Sequence, residues 1–516
     1  MTQALAGGEA LALQRRLPAS VDPVALYAAL TDRGRRRDTM LLERTIGPSL
    51  LMDQAAVRIE CRGAGVELTA LSSNGGQVLA FVADRLADRV ETSDAKRLGL
   101  RFPAISGDDA EERLLSPNPL DVLRLLAGFP SASADEPFTI ALLGVSAFDQ
   151  TDLFETLPAN GRDPLDFPDF VYWLADSLIL FEEGARPTIL CTAFGSDDPA
   201  EAERAYHGAA ARLAALVERC AAIPDLPIPA APVAEYDEPE VDLDDDAYCA
   251  VVRRLRGRIE AGEIYQIVPS RTFRLSCPDP LLSYAAHRRL DPSPYRFFVA
   301  APDHLLFGAS PETSVRVYGE AGATMVEVKP IAGTRPRGAT GDEDDRLEVE
   351  MRLDHKETAE HMMLVDLARN DVARVSTPGT RRVAKLMSVE RYARVMHLVT
   401  SVTGRLRDGL DMLHALQACL NVGTLTGAPK IRATELLRQT EVTKRGPYGG
   451  AVGWINGAGM LDTGVIIRSA TVRDGIAYVR AGAGVVFDSD PRREADETRR
   501  KASALLSVLA ATGAAR

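Results

Sequence analysis

Cysteine is scarce in this sequence of 516 residues, with only Cys61, Cys191, Cys220, Cys249, Cys277 and Cys419. They lie far apart, without a Cys-x-x-Cys pair or a histidine at finger spacing, which excludes a disulfide scaffold and a structural zinc site. They read as reduced thiols of a cytoplasmic protein. Basic charge is also short: 60 Lys and Arg against 73 Asp and Glu leave a net charge of -13. A chain that tracks a phosphate backbone needs a basic face, so nucleic acid is excluded as a partner. No apolar run reaches the roughly 18 residues of a membrane helix, and the N-terminus lacks the basic start and apolar core of a secretory signal, so no membrane partner is expected. A Ser-His-Asp arrangement, a Walker loop and a dinucleotide fingerprint in a strand-to-helix context are absent too.

What is present is enough apolar side chain, 46% of residues, to bury a large core, and the length allows roughly three domains at most. Residues 221–247 are rich in proline and acid and lack an apolar period. We place the main boundary there, with one region at 1–225, a connection at 226–245 and a second region at 246–516. Short mixed strands such as VRIECRG and VELTAL, with helix patterns such as PNPLDVLRLLAGF, make the first region α+β. The second opens with a helix expected over 246–262. Near its end, TGVIIRSATV and IAYVRAGAGVV read as two strands of an antiparallel hairpin joined at Asp474-Gly475. The charge runs RGRRRD (33–38) and GDEDDR (341–346) read as solvated loops.

Two helical patterns each carry Glu-x-x-Glu: Glu357 with Glu360, and Glu494 with Glu497. At about 100° per residue, Glu357 and Glu360 extend the apolar stripe of Leu364 and Ala368, while Glu494 and Glu497 share a face with Lys501, Leu505 and Val508. Four inward carboxylates repel one another unless a cation or protons intervene, and an all-oxygen set suits a hard ion such as magnesium. Glutamates that simply complement the helix dipole at the surface are the alternative. Arg468 and the glycines of Gly482-Ala483-Gly484 could offer a guanidinium fork and backbone N–H groups to a carboxylate; close packing is the plainer account of such glycines. Thr424, in a turn-rich segment before a helix, either binds a ligand or caps. His397, isolated in RVMHLVT, reads first as a buried histidine held by a backbone carbonyl, and otherwise as a general acid or base tuned by burial.

Nine ordered strings span most of the chain: GEIYQIVPSR (262–271), PSPYRFF (292–298), PIAGTRPRG (330–338), EHMMLVDLARND (360–371), GTLTGAPK (423–430), YGGAVG (448–453), VIIRSA (465–470), AGAGVV (481–486) and EADETRRKA (494–502). Together they resemble component I, the large subunit, of the anthranilate synthases, within the chorismate-utilising enzymes. The resemblance implies an α+β fold in which two large antiparallel β-sheets pack face to face with helices outside. It implies magnesium held by Glu360 and Glu497, with Glu357 and Glu494 in supporting, partly water-mediated positions. Substrate contacts would be Thr424, Tyr448, Arg468, Gly482, Gly484 and Lys501, and Glu312 and His397 the catalytic pair, His397 assisting proton removal as pyruvate leaves.

In relatives that use water or an enzyme amine as nucleophile, a lysine occupies the motif that reads Pro330-Ile331-Ala332-Gly333-Thr334 here. Ala332 removes that amine and leaves space for ammonia, so the implied reaction is amination of chorismate at C2 to aminodeoxyisochorismate, then pyruvate loss to anthranilate. No cysteine sits on a glutaminase-like elbow, so a separate glutamine amidotransferase subunit is the implied ammonia source, in a heterotetramer or alongside a homo-oligomer. The family's tryptophan-feedback strings are altered: Leu41-Leu42-Glu43-Arg44 and Pro294-Tyr295-Arg296 carry arginine where serine and methionine are usual. Two cations in a pocket for a neutral indole side chain raise the desolvation cost, and weak or absent tryptophan inhibition is expected. An enzyme released from feedback could instead stop at aminodeoxyisochorismate in a specialised pathway. A scaffold homologue and a water-using isochorismate-type synthase are the readings from other classes.

Overall fold

The computed structural model describes residue 5 and residues 8–514, apart from 106, 108, 134, 222, 224–237, 393 and 394. Most of the proline- and acid-rich connection therefore lies outside the described residues. Two long strands, Ser49–Arg62 and Phe170–Phe181, form the spine of the fold. Their antiparallel ladder changes register at 51–57. Such irregularities bend and twist a strand pair, which lets the same two strands feed two differently oriented sheets.

One end of the spine joins the first sheet. Thr188–Phe194 and Ala10–Arg16 extend it on one side; on the other come Thr39–Arg44, Tyr295–Ala300, Leu305–Ser310, Ser469–Arg473, Ile476–Gly482 and Ser270–Ser276 in that order. From the other end the second sheet runs through Gly65–Ala70 and Arg97–Arg101 one way. The other way it runs through Ala141–Ser146, Ala451–Asn456, Leu461–Val465, Thr313–Glu320, Ala323–Val328 and Val395–Arg405. All of these pairings are antiparallel. In each sheet the strands from before the connection form one block and those from after it another, and the blocks join where Thr39–Arg44 pairs with Tyr295–Ala300 and where Ala141–Ser146 pairs with Ala451–Asn456.

The period of two along each strand sends alternate side chains to two cores. Met40, Leu42, Phe297 and Val299 of the first sheet meet Leu143, Val145, Val452 and Trp454 of the second between the sheets. Their neighbours Leu41, Phe298 and Ala300 face outward, against the helices Pro23–Leu30, Pro199–Cys220, Pro280–Leu290 and Pro491–Ala514. Gly75–Arg85, Asp121–Ala127, His355–Val375 and Met412–Cys419 cover the second sheet. Each fully buried Leu, Ile or Phe contributes roughly 1.5–3 kcal/mol, so this layering is what the high apolar content stabilises.

Two local expectations are corrected. TGVIIRSATV is not one strand: Leu461–Val465 belongs to the second sheet and Ser469–Arg473 to the first, and the chain crosses between them at 466–468. β-propensity cannot reveal that crossing, because both strands are buried and β-branched. GDEDDR is not a loop but the start of the helix Gly341–Leu353, capped by Thr340, whose hydroxyl accepts from Glu343 N at 3.3 Å. Its acids sit in the first turn, where they complement the helix dipole. The hairpin at Asp474-Gly475 forms with both residues at positive φ, 51° and 76°, as a two-residue primed turn requires. No helix among the described residues is long and apolar enough to cross a membrane.

Candidate active site

A cavity of about 440 Å³ opens between the sheets and the acidic helices, and its lining is drawn entirely from residues 266–501. His397, Glu312, Thr424, Tyr448, Arg468 and Lys501 all reach it. So do Ala332, Gly482, Gly484 and the four glutamates at 357, 360, 494 and 497. Glu43, Arg44, Pro294, Tyr295 and Arg296 do not line it.

The carboxylate wall comes from two helices. Asp354 starts one, its Oδ1 accepting from Glu357 N at 3.1 Å, and Asp490 the other, accepting from Arg493 N at 3.0 Å with Pro491 at the first helical position. Glu357 pairs with Arg335 at 2.5 Å, Glu360 accepts from Gln266 Nε2 at 2.8 Å, and Glu497 pairs with Lys501 at 3.0 Å. Two glycines permit these approaches. A Cβ on Gly333, whose φ is 66°, would sit 2.6 Å from Glu357 Oε2. A Cβ on Gly484 would lie 3.0 Å from Gln266 Nε2 and 3.2 Å from Glu360 Oε1. All donors on this wall are oxygens, the chemistry of a hard divalent cation. Among the described residues no three acidic, histidine or cysteine side chains form a ready-made metal cluster.

The opposite wall mixes hydroxyl, imidazole and cation. Thr424 donates to Glu312 Oε1 at 2.7 Å, so it does not act as a helix cap. Burial pushes the Glu312 carboxyl up to about 8, although Thr424, Lys501 and Arg468 pull the other way. His397, on Val395–Arg405, lies with Nδ1 3.3 Å from Gly333 O. Burial, helped by the Arg468 cation, lowers it to about 4. The imidazole is thus held by a backbone carbonyl and faces the cavity. Lys501 Nζ donates to Gly482 O at 3.0 Å. Arg468 occupies the crossing between the sheets with a φ of 47°, in the left-handed region that residues other than glycine adopt infrequently.

Behind this wall lies a buried hub. Glu441 accepts from Arg445, from Arg480 and from both the amide and hydroxyl of Ser270. Burial alone would raise its pKa, but the two arginines hold it below the usual carboxylate value. Arg445 also donates to Leu425 O and Val268 O at 2.6 Å and stacks between Phe148 and Tyr448. The hub thereby ties together the segments that carry Thr424, Gln266, Tyr448 and Gly482. Gln266, Asp354 and Arg480 line the cavity without having been singled out from the sequence. A glutamine and an arginine within apolar strand segments, as at Gln266 and Arg480, were the available signal.

The altered feedback strings form a separate cluster. Arg44 pairs with Asp462 at 2.5 Å, both side chains below 10% exposure, and its guanidinium lies 3.8 Å from the centre of the Tyr295 ring. Tyr295 Oη donates to Asp462 Oδ1 at 2.7 Å. Glu43 accepts from Tyr284 Oη at 2.5 Å and pairs with Arg288 at 2.8 Å. Pro294 and Arg296 flank Tyr295, and Arg296 pairs in register with Glu43 across neighbouring strands.

Comparison with known proteins accords with this geometry. The chorismate binding enzyme family matches residues 82–507. A Vibrio cholerae protein named anthranilate synthase component 1 is 44% identical over 514 residues, with 96% of each chain covered. A Pseudomonas aeruginosa protein named anthranilate synthase component 1, pyocyanine specific, is 46% identical over 479 residues, covering 90% of this chain and 87% of that one. The crystal structure of anthranilate synthase component I from Streptococcus pneumoniae superposes with a TM-score of 0.66 at 27% identity, covering 89% and 92% of the two chains.

Proposed function

The chain belongs to the chorismate-binding enzyme family, and from that premise we propose how its cavity turns chorismate and ammonia into anthranilate. The protein is an enzyme of the anthranilate synthase component 1 type and acts on chorismate. The observation that carries the site assignment is one cavity with a carboxylate wall facing a wall of cations, hydroxyls and a histidine.

Glu357, Glu360, Glu494 and Glu497 would hold a magnesium ion, whose chemistry there is Lewis-acid polarisation of the substrate's ring carboxylate. The donor set and the clearance over Gly484 fit such an ion. Arg468, Lys501 and the backbone around Gly482 and Gly484 receive the substrate's carboxylates, and Tyr448 and Thr424 border the ring. Glu312, protonated below about pH 8, gives its proton to the C4 hydroxyl as that group leaves. Ammonia adds at C2, in space kept open at Ala332, and the C2 ammonium returns a proton to the Glu312 carboxylate, giving aminodeoxyisochorismate and water. His397 then takes the C2 proton as the ring C–O bond to the enolpyruvyl group breaks; the ring becomes aromatic, and the released enolpyruvate takes up one proton, equivalent to the one removed, and leaves as pyruvate. A substrate carboxylate on Arg468 neutralises the charge that depresses His397 and so raises its basicity for this step.

The component 1 names of the relatives imply a second component. We assign it the supply of ammonia from glutamine, because most of the chain's thiols are poor nucleophiles: burial pushes Cys191, Cys277 and Cys419 up to about 12 and Cys220 to about 11. Residues 246–516 carry the catalysis, and Glu43 and Arg44 of the 1–225 region belong to the altered effector motif. There the Arg44 side chain fills the space over Tyr295 and is already neutralised by Asp462, so tryptophan inhibition is weak or absent; calorimetric titration showing tight tryptophan binding would contradict this.

The deciding experiment incubates the purified chain with chorismate, ammonium and magnesium at mildly alkaline pH and identifies products by mass. Magnesium-dependent anthranilate and pyruvate are expected. Accumulated aminodeoxyisochorismate without pyruvate would remove the elimination step, and isochorismate would overturn the choice of nucleophile.

A further inference from the structure

Among the described residues the Arg468 guanidinium has one hydrogen bond, from Nη1 to Asp291 Oδ2 at 3.3 Å. Asp291 is outside the cavity lining, just past the helix Pro280–Leu290. Its surroundings hold it at every point. Its backbone N–H donates to His287 O at 2.9 Å and closes the last helical turn. Its second carboxylate oxygen, Oδ1, accepts from Ser293 Oγ at 2.5 Å. Pro292 and Pro294 follow with locked φ angles and lead into Tyr295–Ala300, a strand paired on both edges.

Arg468 is the opposite case. It sits on the crossing between the sheets, and its side chain is 31% exposed against 19% for Asp291. A long side chain at such a joint disperses over several rotamers unless a fixed group holds it. A carboxylate ligand is bound best by two parallel N–H groups on one edge of the guanidinium. Asp291 engages Nη1 alone, which leaves the Nε–Nη2 edge for that purpose.

We propose that Asp291 is the positioning residue for Arg468, gripping one edge of the guanidinium so that the other is presented, already ordered, to a carboxylate of the substrate. The proposal rests on Arg468 being a substrate contact. Pre-ordering spares the substrate the entropy of fixing the arginine, and that gain appears in binding. The negative charge of Asp291 works the other way, since it opposes an incoming anion. Substitutions separate the two effects. Asparagine keeps an oxygen in place and drops the charge; glutamate keeps the charge and displaces the oxygens by a methylene; alanine loses both.

Steady-state kinetics on the full chain, with magnesium and saturating ammonium, provide the test. Asp291→Ala and Asp291→Glu are expected to raise the KM for chorismate about fivefold to tenfold, with kcat and the KM for ammonium within about twofold. Asp291→Asn is expected at or below the wild-type KM. In Asp291→Ala/Arg468→Ala the KM should match that of Arg468→Ala alone. A purely structural role would lower the Tm of all three variants without a selective change in the chorismate KM, and that result overturns the proposal. So does an unchanged or lowered KM in Asp291→Ala and Asp291→Glu while Arg468→Ala raises it. If Arg468→Ala itself leaves the KM unchanged, the substrate-contact reading fails first and the proposal falls with it.

Discussion

Two polar clusters in this fold treat charge in opposite ways. Around Arg44 the carboxylates are matched inside the protein, Asp462 by Arg44 and Glu43 by Arg288, and the hydroxyls of Tyr295 and Tyr284 donate to them. Around the cavity, six carboxyl groups, those of Glu312, Asp354, Glu357, Glu360, Glu494 and Glu497, face three cations, and one of these, Arg480, is engaged by Glu441. The first set pairs its carboxylates without any ligand, although the Nε atoms of Arg44 and Arg296 are buried without a hydrogen-bond partner among the described residues. The second pairs in part within the chain, Glu357 with Arg335, Glu497 with Lys501 and Arg468 with Asp291, and under the proposed function a magnesium ion and the substrate's carboxylates join it. An ion pair alone therefore says little about function; whether the set of charges closes on itself says much more.

The comparison breaks most readily at the carboxylate wall. Replacing Glu360 and Glu497 together by Gln should cut magnesium-dependent anthranilate formation by about a thousandfold or more. The same change relieves like-charge repulsion, so Tm measured without magnesium should hold or rise, and a large fall would mean these carboxylates are structural. His397→Ala should slow pyruvate release by about a hundredfold to ten-thousandfold, and mass detection should find aminodeoxyisochorismate accumulating.

In the closed cluster the expected signs reverse. Arg44→Ala leaves Asp462 buried without its cation and should cost about 3–5 kcal/mol in urea unfolding. Chorismate turnover at a temperature where the variant is folded should stay within about twofold. A finer test uses pH. Glu312 must be protonated to act as an acid, so kcat/KM, corrected for free ammonia, should fall as pH rises through about 8, and Glu312→Gln should lose that limb. The smallest effect concerns His361 and His397, both lowered to about 4 by burial. Their unfolded value is about 6.5, so between about pH 6.5 and 4 the unfolded chain binds more protons and stability falls with pH. His361→Gln should flatten that slope in pH-resolved thermal unfolding.

Much of the site was legible because its chemistry is written in local patterns. Two Glu-x-x-Glu pairs on apolar stripes place carboxylates on the inner face of a helix whatever the helix packs against, and the Asp474-Gly475 turn required positive φ at both positions. Arg468 was visible as a candidate, but its place at a crossing between sheets was not, because TGVIIRSATV has the pattern of one continuous strand. The helix in GDEDDR was missed because charge outweighed the capping threonine just before it. Gln266 lay inside a quoted string without a role, since its partner Glu360 is 94 residues away.

The sequence by itself determined the class of chemistry: an acidic chain with few cysteines, carboxylate-bearing helices, and ordered strings that resemble one enzyme family. The acidity, the few cysteines and the carboxylate faces follow from residue type and from a period of 3.6, which acts over a few residues, while the family likeness is carried by the ordered strings alone. Tertiary structure alone decided that Arg44 is neutralised and not a loose cation, that the Glu441 hub carries one wall of the cavity, and that Asp291 meets Arg468. Each of these depends on contacts between residues 4 to 418 positions apart, most of them far apart, and on burial that strengthens charge interactions by excluding water. No local pattern encodes which distant partner will be there.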